Sequence, residues 1–110
     1  MNQGHIKPAE VVNLNTLKRE MDRDATYALV KTSDMEVIRM VMPAGKEIAE
    51  HSVEGEMSVQ CMKGHVLFSV DGKTQELIEG DWLYLNRDQS HSLSALRNSI
   101  LLVTILFTGE

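Results

Sequence analysis

His51 and His91 are the two side chains whose placement suggests chemistry. His51 ends the stretch Gly45-Lys46-Glu47-Ile48-Ala49-Glu50-His51, and His91 ends Gly80-Asp81-Trp82-Leu83-Tyr84-Leu85-Asn86-Arg87-Asp88-Gln89-Ser90-His91. Each histidine thus follows a glycine at a set distance, in a run that reads as strand and turn. An imidazole can ligate a divalent metal, move a proton, or supply a polar contact in an apolar pocket. A catalytic metal takes three or four protein ligands, so the metal reading needs groups beyond these two. Glu54, Glu56 and Gln60 are the candidates for an atypical third ligand. Strand alternation sets Glu56 and Gln60 on the face opposite Met57.

Other chemistry-bearing residues have plainer roles. His65 alternates with Leu67 and Ser69 and reads as a solvent-side histidine, and His5 lies in a terminal stretch. Met40, Met42, Met57 and Met62 fall in predicted strands, where thioethers are adaptable core filler; beside two imidazoles they would also suit a soft ion such as Cu(I). Trp82 and Tyr84 share one strand face, either walling a cavity or simply packing. Cys61 is the lone cysteine, which excludes an intrachain disulfide and a cysteine-rich zinc site. No glycine-rich phosphate loop and no activated serine or cysteine motif is present, which leaves hydrolase and nucleotide-binding readings without support.

The elements that must position these groups are almost all strands. Thr26 to Lys31, Met35 to Met42, Trp82 to Leu85, His91 to Ala95 and Ile100 to Phe107 are rich in β-branched, aromatic and methionine residues. Glu10 to Leu14 reads as a further short strand, and residues 16–21 carry the only helical leaning. Asp71-Gly72 between two alternating runs predicts a type I′ hairpin across residues 66–77. About ten short strands with turn residues between them predict an all-β sandwich or small barrel. The last strand is apolar on both faces, which a strand with one wet face is not. Its outer face needs a cover, either the N-terminal segment or a second subunit.

The spacing resembles the two motifs of the cupin superfamily. Gly45, His51 and Gly64 fall in place for the first motif and Gly80 and His91 for the second, with fifteen residues between Gly64 and Gly80. Val53 stands where that family has a second histidine, Met57 where it has a carboxylate or amide, and Asn86 and Asp88 where it has proline and glycine. The resemblance implies an antiparallel jelly-roll β-barrel with both motif histidines pointing inward, and a symmetric homodimer. It implies a small single-domain cupin with a degenerate first motif, residues 1–25 forming an arm with a short strand and turn and residues 26–107 the barrel. The expected pocket is largely apolar and lined by His51, Val53, Met57, His91, Gln60, Met40, Trp82 and Tyr84. The metal candidates are His51 and His91, for Fe, Mn, Zn or Ni.

The bulk properties set outer bounds. A chain of 110 residues fits one domain, and no apolar run approaches the length that spans a bilayer, which reads as a cytoplasmic protein. The net charge of −5 gives no basic footprint for nucleic acid. Three readings of function remain: a small-molecule-binding or sensing protein without a complete metal site, a metal-dependent enzyme of dioxygenase or isomerase type using His51 and His91 with an atypical third ligand, and an accessory domain whose barrel serves as a dimer scaffold.

Overall fold

A computed structural model describes residues 5–18 and 25–107. A short helix α1 (Leu14–Lys18) precedes nine strands: β1 (Tyr27–Lys31), β2 (Met35–Met42), β3 (Glu47–His51), β4 (Glu56–Lys63), β5 (His65–Val70), β6 (Lys73–Ile78), β7 (Trp82–Leu85), β8 (His91–Ala95) and β9 (Ser99–Leu106). They form two antiparallel sheets, ordered β1-β2-β9-β4-β7 and β3-β8-β5-β6. The jelly roll expected from the sequence is the observed architecture. β5 and β6 join through Asp71 and Gly72, both at positive φ (52° and 78°), as a type I′ turn requires.

Alternation along the strands builds one core between the sheets. Met57, Val59 and Cys61 of β4, Val66 and Phe68 of β5, Leu93 and Ala95 of β8 and Leu101, Val103 and Ile105 of β9 all point into it. β9 lies at the centre of its sheet, paired along its full length with β2 and along most of it with β4. Such a strand is buried on both faces if its outer side is also covered, which accounts for its continuous apolar sequence.

That cover comes in part from the N-terminal segment. Ile6, Val12 and Leu17 pack with Leu29, Met62, Ile100 and Leu102 in a second apolar cluster on the outside of the five-stranded sheet. Arg39, fully buried beneath it, donates from Nε to the Leu17 carbonyl at 2.9 Å and from a terminal nitrogen to the Ala25 carbonyl at 3.3 Å, with its guanidinium carbon 5.6 Å from the Tyr27 ring centre. A buried guanidinium is tolerated because its donors are aimed at carbonyls left open at the end of a helix and in a loop. The cover stops short of the far end of β9, where Leu106 is 39% exposed beside Trp82 (60%) and Tyr84 (50%).

The N-terminal segment differs from its sequence expectation. Residues 10–13 are irregular rather than a strand, and the helix begins at Leu14. Asn13 is the reason: its Oδ1 accepts the Asn15 amide at 2.8 Å and its carbonyl accepts the Thr16 amide at 3.1 Å, the pattern of a helix N-cap. The helical expectation over residues 16–21 holds as far as Lys18, and its remainder lies outside the described residues.

The turn geometry explains the motif glycines. Gly64 has φ 101°, and a Cβ there would run into Ser99 Oγ and the Asn98 carbonyl oxygen. Asp88, standing where the resembled motif has glycine, has φ 62°. Aspartate is among the non-glycine residues that adopt this left-handed conformation most readily, so it suits the turn before His91.

Candidate functional site

β3 and β8 bring the two histidines together. In the register of this pair Ile48 faces Leu93 and His51 faces His91, so three steps along β3 match two along β8. The extra residue is a β-bulge, and it reverses the alternation. Without it, His51 would share the outer face with Glu47 and Ala49; with it, His51 turns to the side occupied by Ile48 and the core. The two rings lie with centres 4.3 Å apart at 58°, and His91 stacks on the core residue Phe68 at 5.4 Å and 10°. His51 sits at the exposed end of this row, whereas His91 is 2% exposed.

Both rings are oriented from behind by the backbone. His51 Nδ1 lies 3.0 Å from the Ala49 carbonyl oxygen, within the bulge, and His91 Nδ1 lies 3.0 Å from the Gln89 carbonyl oxygen. A carbonyl only accepts, so each Nδ1 carries the proton. In the neutral rings Nε2 is therefore an unprotonated acceptor on both. Neither Nε2 has a partner among the described residues.

The polar residues at this end belong to the turns that flank the pair. Gln89 Nε2 donates to Asp71 Oδ2 at 3.0 Å, Ser90 Oγ donates to Glu50 Oε2 at 2.9 Å, and the Asp88 amide donates to the Val53 carbonyl at 3.0 Å. These contacts tie β3, β8 and the β5–β6 hairpin into one rim.

The remaining candidates divide by sheet face. Val53, Met40 and Met57 pack into the core on the same side as the histidines. Gln60, Trp82 and Tyr84, expected to line the pocket, are on the opposite side: Trp82 and Tyr84 alternate with the inward-facing Leu83 and Leu85, and Gln60 with Val59 and Cys61. Gln60 instead borders an outer groove with Leu14 and Asn15. Glu56 is also outside, where its carboxylate accepts the Tyr84 hydroxyl at 3.0 Å, an interaction that raises the Tyr84 pKa. Two of the three suspects for a third ligand thus face away from the imidazoles. His65 pairs with Glu76 at 3.1 Å on the outer surface, as its strand parity predicts. Burial, above all, pushes the Cys61 thiol up, which keeps it protonated and packed.

Among the described residues no group of three or more His, Cys, Asp and Glu side chains is arranged to hold a metal ion. The donor set at the pair is two imidazoles with valine and methionine in the other two motif places, and these residues do not fit a metal centre held by three or four protein ligands. What the arrangement offers is a pair of adjacent imidazoles, each with its Nε2 unpartnered among the described residues, at the end of an apolar interior.

The comparisons agree with the architecture. No protein-family model and no curated protein matches the chain. Among solved structures, a conserved Streptococcus pyogenes protein of unknown function superposes with a TM-score of 0.77 at 21% identity, over 97% of this chain and 95% of that one. A cupin superfamily protein from Desulfitobacterium hafniense gives 0.74 at 15% identity, over 76% and 77%. Salicylate 1,2-dioxygenase from Pseudaminobacter salicylatoxidans gives 0.69 at 20%, over 74% of this chain and 25% of that one. The chain has the cupin fold.

The burial of His91 has a pH signature. Burial lowers its pKa from the usual histidine value, the hydrogen bond to Gln89 works the other way, and the neighbouring His51 lowers it further. The unfolded chain therefore binds a proton at His91 before the folded one does. The stability this group contributes is complete above the unfolded value of about 6.5 and is lost as the pH falls toward the folded pKa. Urea midpoints should drop between pH 7.5 and pH 5.5, and His91→Gln should flatten that slope; parallel profiles for the two proteins would contradict this.

Proposed function

We propose that the protein is a small-molecule-binding cupin that works without a complete protein-held metal site, in which His51 and His91 provide the polar contacts of an otherwise apolar pocket. The observation that carries this reading is the convergence of the two imidazoles, with Nε2 of each unpartnered, in a setting whose other motif places are Val53 and Met57. The pocket side chains in this reading are His51, His91, Val53, Met57 and Met40. A free buried thiol suits a reducing compartment such as the cytoplasm, and no helix among the described residues is long and apolar enough to cross a membrane. The competing reading is a metal-dependent enzyme, and metal binding separates the two.

Fe(II), Mn(II), Zn(II) or Ni(II) should raise the melting temperature of the wild-type protein little, since ligand stabilisation grows with the ratio of free ligand to Kd and two imidazoles alone bind weakly. Val53→His combined with Met57→Glu, at two positions packed in the core, should create a metal-dependent stabilisation of roughly 2.7 kcal/mol at 100 times Kd. Stoichiometric metal in the wild-type protein, lost in His51→Ala and His91→Ala, would overturn the proposal in favour of the enzyme.

A homodimer is the accompanying proposal for the uncovered outer end of the five-stranded sheet. Trp82, Tyr84, Ser58, Thr104 and Leu106, with Glu56 at the edge, border a groove of about 200 Å³ there. Large aromatics clustered on a sheet face are the kind of surface that anchors interfaces, and two copies meeting about a two-fold axis would bury the same patch on each. The protein should sediment as a dimer at micromolar concentration, and Leu106→Glu or Trp82→Glu should give monomer, because an unpaired charge in a buried interface is costly. A monomeric wild-type protein would contradict the dimer.

A further inference from the structure

The hydrogen bonds behind the two rings restrict what the pocket can recognise, an inference that rests on the binding function proposed above. Carbonyl acceptors at Ala49 and Gln89 hold the proton on Nδ1 of each ring, which leaves both Nε2 atoms as acceptors. A ligand that offers only acceptors, such as a ketone or an ether, gains no hydrogen bond from this pair in its neutral form. A ligand with hydroxyl donors gains two, provided the donors are as close together as rings whose centres are 4.3 Å apart demand.

The charge of the surroundings narrows the class further. The rim carries Glu50, bound to Ser90, Asp71, bound to Gln89, and Asp88, against one cation among the described residues, Arg87 of the same turn, which donates to the Glu54 carbonyl at 3.4 Å; the chain as a whole is acidic at −5. Carboxylate or phosphate ligands would meet a surplus of like charge there. The side chains next to the pair are apolar: Phe68 stacks on His91, Val70 is the register partner of His91 in β5, and Val53 and Met57 pack in the same core.

We propose that the site takes a neutral molecule bearing two adjacent hydroxyl groups on an apolar frame, each hydroxyl donating to the Nε2 of one histidine. The frame is aliphatic or aromatic, and the two sources are distinguished by the probes. No bond is made or broken in this recognition, and no metal is required.

The test is a titration followed through the imidazole Cε1–H resonances at pH 8 in the presence of EDTA, which removes any bridging metal. The probes are cis-1,2-cyclohexanediol and catechol, each against its dimethyl ether, which keeps the frame and removes the donors. One diol or both should shift the His51 and His91 signals saturably, and the stronger of the two identifies the frame. The ethers should bind about tenfold or more weaker, the loss expected for two modest hydrogen bonds. His51→Asn and His91→Asn keep a side-chain donor for the backbone carbonyl but lose the Nε2 acceptor, and each should weaken the diol about fivefold. His51→Gln and His91→Gln place an oxygen acceptor near the Nε2 position and should recover part of that loss, which a merely structural role would not predict. Ethers that bind as well as the diols would overturn the hydroxyl-donor class while leaving the apolar pocket intact. Saturable shifts from neither set up to tens of millimolar would overturn both.

Discussion

The β-bulge in β3 is the constraint on which the site depends. A strand of strict alternation that placed Ile48 in the core would turn His51 outward, and the two histidines would lie on opposite faces of the same sheet. One extra residue between Ile48 and His51 brings the imidazole round to face His91. The same bulge supplies the Ala49 carbonyl that fixes the His51 tautomer. Orientation and protonation therefore come from a single irregularity in backbone pairing. On the β8 side, Gln89 does the corresponding work, its carbonyl holding His91 Nδ1 and its side chain linking the turn to Asp71 of the hairpin.

The departures from the cupin motifs fall into two physical kinds. Asp88, standing where the resembled motif has glycine, takes up the left-handed backbone that glycine adopts most easily. Val53 and Met57, standing where the resembled motif has donor side chains, pack into the core, so the surroundings of the histidines are hydrophobic. The first kind concerns backbone geometry and the second side-chain chemistry. Together they leave two converging imidazoles in apolar surroundings.

Much of the fold was legible because alternation, the Asp71-Gly72 turn and the glycine spacing are local signals. The strands over residues 35–42, 82–85 and 91–95 begin and end where the side-chain pattern says. The outward placement of Glu56 also followed from its offset of one residue from Met57, and the structure shows it bound to Tyr84 on the outer face. The N-terminal segment was misread because Val11, Val12 and Leu14 look strand-like, whereas the capping side chain of Asn13 starts a helix. Trp82, Tyr84 and Gln60 fall outside the expected pocket because the parity of β4 and β7 turns them away from the core; for Gln60 the odd offset from Met57 already signalled this, whereas for Trp82 and Tyr84 it depends on which face of β7 meets the second sheet. The bulge itself leaves no mark in the sequence, since neither Ala49 nor Glu50 is a residue type that demands one. Arg39, which secures the helix and loop over the outer sheet face, was invisible for a similar reason: an arginine inside an apolar strand is legible as a buried anchor only when its carbonyl partners are known.

The central claim is that two backbone carbonyls hold both imidazoles with the proton on Nδ1 and an open acceptor at Nε2. Long-range ¹H–¹⁵N correlation spectra of the histidine rings at pH 8, without added metal, read this tautomer directly. The structure predicts the Nδ1–H form for His51 and His91 alike. A spectrum showing the proton on Nε2 of either ring would contradict it, because that nitrogen would then be a donor and the paired acceptor site would not exist.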